Sequence, residues 1–167
     1  MIDSLLNKAE QSKCARLLLS QILQFVIPFN APHRFAVQSL SSERCQILIP
    51  YKRKNRNHIH GLHACAMATA CEFSTGLLLL RALSTSSHRI VMKELHMQYF
   101  FQGKMNAIAT CQFSLGALEE KVLGPLQNEQ SIEVSLTSEV VDKEQNKLSQ
   151  GNVLWQIKPW KYVRTKL

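Results

Sequence analysis

The stretch that decides the fold reads Leu62-His63-Ala64-Cys65-Ala66-Met67-Ala68-Thr69-Ala70-Cys71-Glu72-Phe73-Ser74-Thr75-Gly76-Leu77-Leu78-Leu79-Leu80-Arg81-Ala82-Leu83. Almost every residue in it suits a helix, and between Leu62 and Leu80 the one formal charge is Glu72. A surface helix shows a polar face, whereas a helix apolar on every side must be covered on every side. The length alone suffices to cross a bilayer, but small residues and a glutamate in mid-run make insertion costly. The reading is therefore a buried helix wrapped by the rest of the chain, with no membrane span.

The flanks say what wraps it. Upstream, Leu5, Leu6, Ala9, Leu17, Leu18, Ile22 and Val26 recur at helical spacing and predict an amphipathic helix over about 3–26, ending before Pro28 and Pro32. Two extended runs follow, Phe35 to Leu40 and Arg44 to Ile49, joined by the turn Ser41-Ser42-Glu43 and closed by Pro50. Downstream of Ser84 to Ser87, Val91, Lys93, Leu95, Met97 and Tyr99 share one strand face, and Ala107, Ala109, Cys111 and Phe113 share one on the next. Gly103 to Asn106 reads as the turn between them, and Leu115 to Leu126 as a short helix or irregular excursion broken at Gly124 and Pro125. Ile132, Val134 and Leu136 mark a strand running toward Val141. After the loop Asp142 to Lys147, the alternation of Val153, Trp155 and Ile157 marks the last. Helix, two strands, buried helix and about four strands predict a single α+β domain over residues 1–167, with an antiparallel sheet curved round one long helix.

Composition narrows the class. A chain of 167 residues is long enough to bury a real core. Five cysteines without a CxxC pair read as reduced thiols, and acids and a glutamine precede any apolar run at the N-terminus, so the expected compartment is the cytoplasm. The net charge of +8 is concentrated in Lys52, Arg53, Lys54 and Arg56 and in the tail Lys158 to Lys166. Such patches attract phosphates, and equally they can be solvated loops. Nucleic acid is not the expected partner, because no aromatic platform or recognition helix accompanies the charge.

Chemistry concentrates at the start of the buried helix. Asn57-His58-Ile59-His60-Gly61 leads into His63, whose following amides, Ala64 and Cys65, lie in the first turn at the positive end of the helix dipole. Amides so placed can hold a developing oxyanion. Further along, Glu72 is either a structural glutamate or an acid–base group whose pKa burial raises into a useful range. Ser74 and Thr75 either hold a water or cap local carbonyls, and Met67, Phe73 and Leu77 contact either an acyl group or only the sheet. His58, His60 and His63 crowd one loop without a further ligand in a recognised spacing, so no metal is expected.

The segment from Asn57 through Glu72 resembles the hot-dog thioesterases related to the phenylacetate-pathway enzymes. Asn57 matches their Asn, His63 their His, Ala64 and Cys65 their paired glycines, and Glu72 their helix acid, which is aspartate in the phenylacetate type. Ile27-Pro28-Phe29-Asn30, the run Pro50 to Asn57 and Met92-Lys93 resemble a poorly characterised thioesterase-like branch, over a span from Ile27 to Ile157. The resemblance implies a hot-dog fold, hydrolysis of acyl-CoA or a related acyl thioester with no cofactor, and a homodimer or dimer of dimers sharing its sites between subunits.

In that reading Glu72 activates water or attacks the carbonyl, and Asn57 or His63 orients the substrate. Ala64 and Cys65 supply the oxyanion hole, and His60, Gly61, Met67, Ser74 and Thr75 contact the substrate. Lys52, Arg53, Lys54 and Arg56 are candidates for the CoA phosphates. Two rival functions share the fold, a noncatalytic acyl-CoA binding protein and an acyl-thioester hydratase or dehydratase.

Overall fold

A computed structural model of the protein describes residues 2–84 and 86–164, so that Lys166 of the basic tail lies outside the described residues. Two helices lead, α1 (Ile2–Gln11) and α2 (Lys13–Val26), in place of the one expected over about 3–26. Ser12 divides them. Its backbone is extended (φ −116°, ψ 121°) and its hydroxyl accepts the N–H of Ala15 at 3.3 Å, capping α2. A hairpin follows, β1 (Ala36–Leu40) and β2 (Arg44–Ile49), and then the buried helix α3 (Ala64–Ala82). The strands β3 (His88–Tyr99), β4 (Ala107–Gln112), β5 (Ile132–Asp142) and β6 (Lys147–Pro159) complete the sheet.

Between β4 and β5 lie α4 (Leu115–Leu118), a π turn (Glu119–Leu123) and α5 (Gly124–Asn128). Pro125 accounts for the widened turn, since it has no N–H to give and its ring crowds the carbonyl four residues back.

The sheet order is β1-β2-β4-β5-β6-β3, with every neighbouring pair antiparallel. Helix α3 touches β2, β3, β4, β5 and β6, which a sheet can allow only by curving round it, and this is the hot-dog arrangement. The inner face carries Ala107, Ala109, Cys111, Val134, Leu136, Val153 and Ile157, all buried. Helix and sheet approach closely at Gly151, where an added Cβ would lie 2.9 Å from the Cβ of Cys71. Trp155 donates its Nε1–H to Thr75 Oγ1 at 3.0 Å, locking α3 to β6.

Two strand expectations change. Residues 100–106 are not a hairpin turn: β3 lies at the far edge beside β6, and the chain crosses from there to β4 between β2 and β5. The faces of β3 also differ, because a bulge between Met92 and Glu94 shifts its register against β6. Met92, opposite Trp155, therefore shares the inner face with Leu95, opposite Val153, and with Met97, opposite Gly151. Val91 leaves that face, as does Lys93, which pairs with Glu133 at 2.6 Å on the outside.

Helix α2 is turned over relative to its apolar pattern. Leu19, Ser20 and Leu23 are buried, while Leu17, Leu18 and Val26 are exposed. The polar residues turn inward because β1 is an edge strand whose backbone needs partners. Ser20 Oγ accepts the N–H of Val37 at 2.9 Å, and Gln24 Nε2 donates to the Phe35 carbonyl at 3.3 Å. Among the described residues no helix is long and apolar enough to cross a membrane.

Candidate active site

The start of α3 is shaped by the loop before it. Asn57 Oδ1 accepts the N–H groups of Ile59 at 3.1 Å and Gly61 at 2.9 Å, folding the loop into a tight turn in which His60 takes φ 60°. Asn55, fully buried, donates to the carbonyls of His33 and Pro50, each at 2.9 Å, and its own carbonyl accepts the N–H of His63 at 2.8 Å. His63 is the N-cap of α3, its Nδ1 accepting the N–H of Cys65 at 3.0 Å. Of the two amides expected to form an oxyanion hole, that of Cys65 is thus engaged. That of Ala64 carries no hydrogen bond among the described residues.

One strip of α3 is left uncovered. Cys65, Ala68, Thr69 and Glu72, on one face of the helix, line a cleft of about 380 Å³ whose other walls are Ile27, Phe29 and Asn30 before β1 and Met92 and Leu95 on β3. Glu72 is half-buried, and its carboxylate has no hydrogen bond or ion pair among the described residues. Burial in this apolar setting pushes its pKa above the ordinary glutamate value. A smaller apolar pocket of about 150 Å³ shares Ile27 and Glu72 and is lined further by Gly76, Leu80, Ile90 and Trp155. The arrangement is a carboxylate where two apolar pockets adjoin.

Asn30 was not singled out as a site residue from the sequence. Its residue surface is 3% exposed, its side chain has no hydrogen bond among the described residues, and it lines the cleft with Glu72. With no protein partner among the described residues and a place in the lining, its amide is available to hydrogen-bond a ligand in the cleft. The sequence signal was the run Ile27-Pro28-Phe29-Asn30, whose first, third and fourth residues form this wall.

Other site expectations fall elsewhere. Ser74 and Thr75 are fully buried: Ser74 Oγ contacts Ser138 Oγ at 2.7 Å and donates to the Cys71 carbonyl at 3.0 Å, and Thr75 serves Trp155. Met67 is 4% exposed and packs in the core. These three hold α3 to the sheet and do not line the cleft. Asn57, His60, Gly61, His63 and Ala64 are likewise absent from its lining, being at the mouth of α3 and, for His63, half a turn away from Glu72 in azimuth. Lys52, Arg53 and Lys54 are exposed and surround a separate cleft of about 360 Å³ together with Arg34, a fourth cation the sequence did not suggest. Arg56 instead lies over the Tyr51 ring at 5.3 Å, bracing the loop.

Comparison with known proteins places this geometry. A Pseudomonas aeruginosa protein of unknown function, described as a probable thioesterase, superposes with a TM-score of 0.76 at 18% identity, over 85% of this chain and 95% of its own. A Shewanella oneidensis protein gives 0.71 at 19% identity, over 94% and 99% of the two chains. A thioesterase from Haemophilus influenzae gives 0.66 at 8% identity, over 84% and 88%. At such identities the likeness is one of fold. No curated protein matches the chain. Residues 15–157 match the family described as a domain of unknown function, DUF4442, and it is to this family, built on the hot-dog scaffold that thioesterases share, that the chain belongs.

Proposed function

We propose that the protein hydrolyses an acyl thioester, with acyl-CoA as the substrate class, in the cytoplasm and as a homodimer. The observation that carries the reading is Glu72: a half-buried carboxylate without a protein partner among the described residues, where two apolar pockets adjoin. In the reaction Glu72 takes a proton from water as the water oxygen bonds to the thioester carbonyl carbon. A backbone amide of a helix start, that of Ala64, holds the resulting oxyanion. Collapse breaks the C–S bond, and the proton on Glu72 passes to the departing thiolate, giving a free acid and a free thiol. Asn30 is placed to orient the water or the acyl carbonyl.

Two chains complete the site in this reading. The Ala64 amide and Glu72 stand eight residues apart, about 12 Å along α3, too far for one thioester carbonyl to meet both, so each cleft takes Glu72 from one subunit and the helix start from the other. The unpaired edge of β3 supports such pairing, for it exposes Val91, Met92 and Tyr99 and leads into exposed Phe100 and Phe101. A noncatalytic acyl-CoA binder is favoured by one feature, the engagement of the Cys65 amide by His63, which removes an oxyanion donor. Glu72→Gln decides between them. A hydrolase loses roughly a hundredfold or more in turnover while still binding acyl-CoA, whereas a binding protein shows no turnover in either form.

A further inference from the structure

The outward face of α2 is apolar along its length. Cys14, Leu18 and Phe25 form its centre with Leu17 and Ile22 at the sides, and Gln21 is its one polar member. Phe25 is 86% exposed, and Phe29, just beyond the helix, 67%. The opposite face is committed to the edge of β1 through Ser20 and Gln24, so the apolar side cannot simply roll inward. Exposed large side chains scattered singly are ordinary, but a continuous strip on one helix marks a docking surface.

Charge identifies what docks there. Exposed Lys8 and Lys13 stand at the start of the strip. At its other end, Phe29 is followed by Ala31 and Pro32, which line the basic cleft of Arg34, Lys52, Arg53 and Lys54. An apolar helix face with exposed lysines at its start, where Glu10 is neutralised by Arg81 at 3.0 Å, and a basic cleft beyond its end matches the surface of a bilayer containing anionic lipid, apolar side chains among the acyl chains and cations among the phosphates. A second copy of this chain fits less well, because either orientation of two such helices sets cationic ends against each other, on chains of net charge +8.

We propose that the protein docks peripherally on an anionic lipid surface through the outer face of α2, lying in the interface without crossing it. The docking does not depend on the hydrolase reading. If that reading holds, docking also places Ile27 and Phe29, walls of the acyl cleft, against the lipid surface.

The test is vesicle flotation of the full-length protein with equimolar phosphatidylcholine and phosphatidylserine, with phosphatidylcholine alone, and with the mixed vesicles in high salt. The double variant Leu18→Asp, Phe25→Asp runs beside the wild type, with sedimentation velocity and thermal melting on both. Docking predicts that the wild type floats with the mixed vesicles, floats less with neutral ones, and is released by salt. The variant loses affinity by about tenfold or more with unchanged melting, unchanged sedimentation and unchanged hydrolysis of a short, soluble acyl-CoA. Equal flotation of variant and wild type, or no flotation of the wild type, overturns the proposal. So does a variant that sediments as a smaller species, which would make the face a contact between copies. Loss of hydrolysis by Glu72→Gln has no bearing on flotation, so the two readings fail separately.

Discussion

His63 Nδ1 accepts the backbone N–H of Cys65 at 3.0 Å, so the histidine that leads α3 is its cap. The bond requires a lone pair on Nδ1, that is, the neutral ring with its hydrogen on Nε2. It also sorts the first-turn amides: Cys65 is held by its own chain, and Ala64 is left for a ligand. In the proposed hydrolysis, a histidine at this position acts through which amide it leaves unengaged.

Glu72 should couple activity and stability in opposite directions. Burial raises its pKa in the folded state above the unfolded value. Between those two values the folded protein binds more protons than the unfolded chain, so stability falls as pH rises through the window. Glu72→Gln should consequently be more stable than wild type at neutral pH, with the difference vanishing once both states of the wild type are protonated. Over the same rise in pH, wild-type kcat/KM should climb as the carboxylate forms, with its midpoint above the ordinary glutamate range. Denaturant titrations and pH–rate profiles of the two proteins measure both. A variant no more stable than wild type at neutral pH would mean that Glu72 finds a partner in solution.

The hydroxyl of Thr75 serves the fold. It donates to the carbonyls of Cys71 and Glu72 at 3.1 and 2.9 Å and accepts Trp155 Nε1–H at 3.0 Å. Thr75→Val keeps the shape and leaves a buried indole N–H without an acceptor, at a cost of about 1–3 kcal/mol. The melting temperature should drop while kcat and KM hold. A change in KM without a change in melting would return Thr75 to the substrate.

Much of this architecture was legible because burial and periodicity are local signals. The charge-poor run from Leu62 to Leu80 marked α3, and the alternations of β5 and β6 appear as read. What stayed hidden depends on contacts distant in sequence. The bulge at Lys93 moved Met92 to the inner face, and no alternation rule marks where a register shifts. Ser20 and Gln24 faced inward because β1 turned out to be an edge, which only the strand order determines. Glu72 was identifiable from its own improbability within an apolar helix. Asn30 was not, since an asparagine between prolines reads as a turn residue until the cleft is built around it.

Thiol chemistry provides a map of the cleft. Cys45, Cys71 and Cys111 are buried, and burial pushes the thiol of Cys71 up to about 11 and that of Cys111 up to about 12, whereas Cys14 and Cys65 are exposed. Iodoacetamide at neutral pH should label Cys14 and Cys65 quickly and the other three only after unfolding. Because Cys65 lines the cleft beside Glu72, a bound acyl-CoA should shield it and leave the labelling of Cys14 unchanged. Shielding of both or of neither would place the ligand elsewhere, and peptide mass spectrometry reads each site separately.

The basic cleft predicts a phosphate-dependent KM. Arg34, Lys52, Arg53 and Lys54 surround it, outside the cleft that holds Glu72. If they meet the phosphates of CoA, Lys52→Gln, Arg53→Gln, Lys54→Gln should raise KM for acyl-CoA with kcat nearly constant, since contacts made equally in ground and transition states affect binding alone. High salt should move the wild type toward the variant, because screening acts over about 8 Å at physiological ionic strength. An acyl-pantetheine lacks the nucleotide phosphates and should be indifferent to both changes. Equal effects on the two substrates would rule out phosphate recognition by these side chains.

The sharing of the site between subunits can be tested by restoring activity from two inactive proteins. Ala64 is the first residue of α3, where a proline is tolerated because the N–H it lacks has no partner within the helix. His63 is already extended, at φ −70° and ψ 137°, as a residue preceding proline must be. Ala64→Pro should therefore fold with little loss of stability and remove the free amide, reducing turnover by about 100- to 1000-fold if that amide holds the oxyanion. Glu72→Gln disables the other half of the chemistry. When the two variants are unfolded together and refolded as a mixture, random pairing makes half the dimers mixed. In each mixed dimer one cleft carries both substitutions and the other carries neither, provided that Glu72 and the Ala64 amide come from different chains. About a quarter of the clefts are then intact, and about a quarter of wild-type activity should return. If both groups belonged to one chain, every cleft would hold one substitution and the mixture would stay inactive. The comparison needs no structure of the dimer, and melting curves of the separate variants establish that neither starts out unfolded.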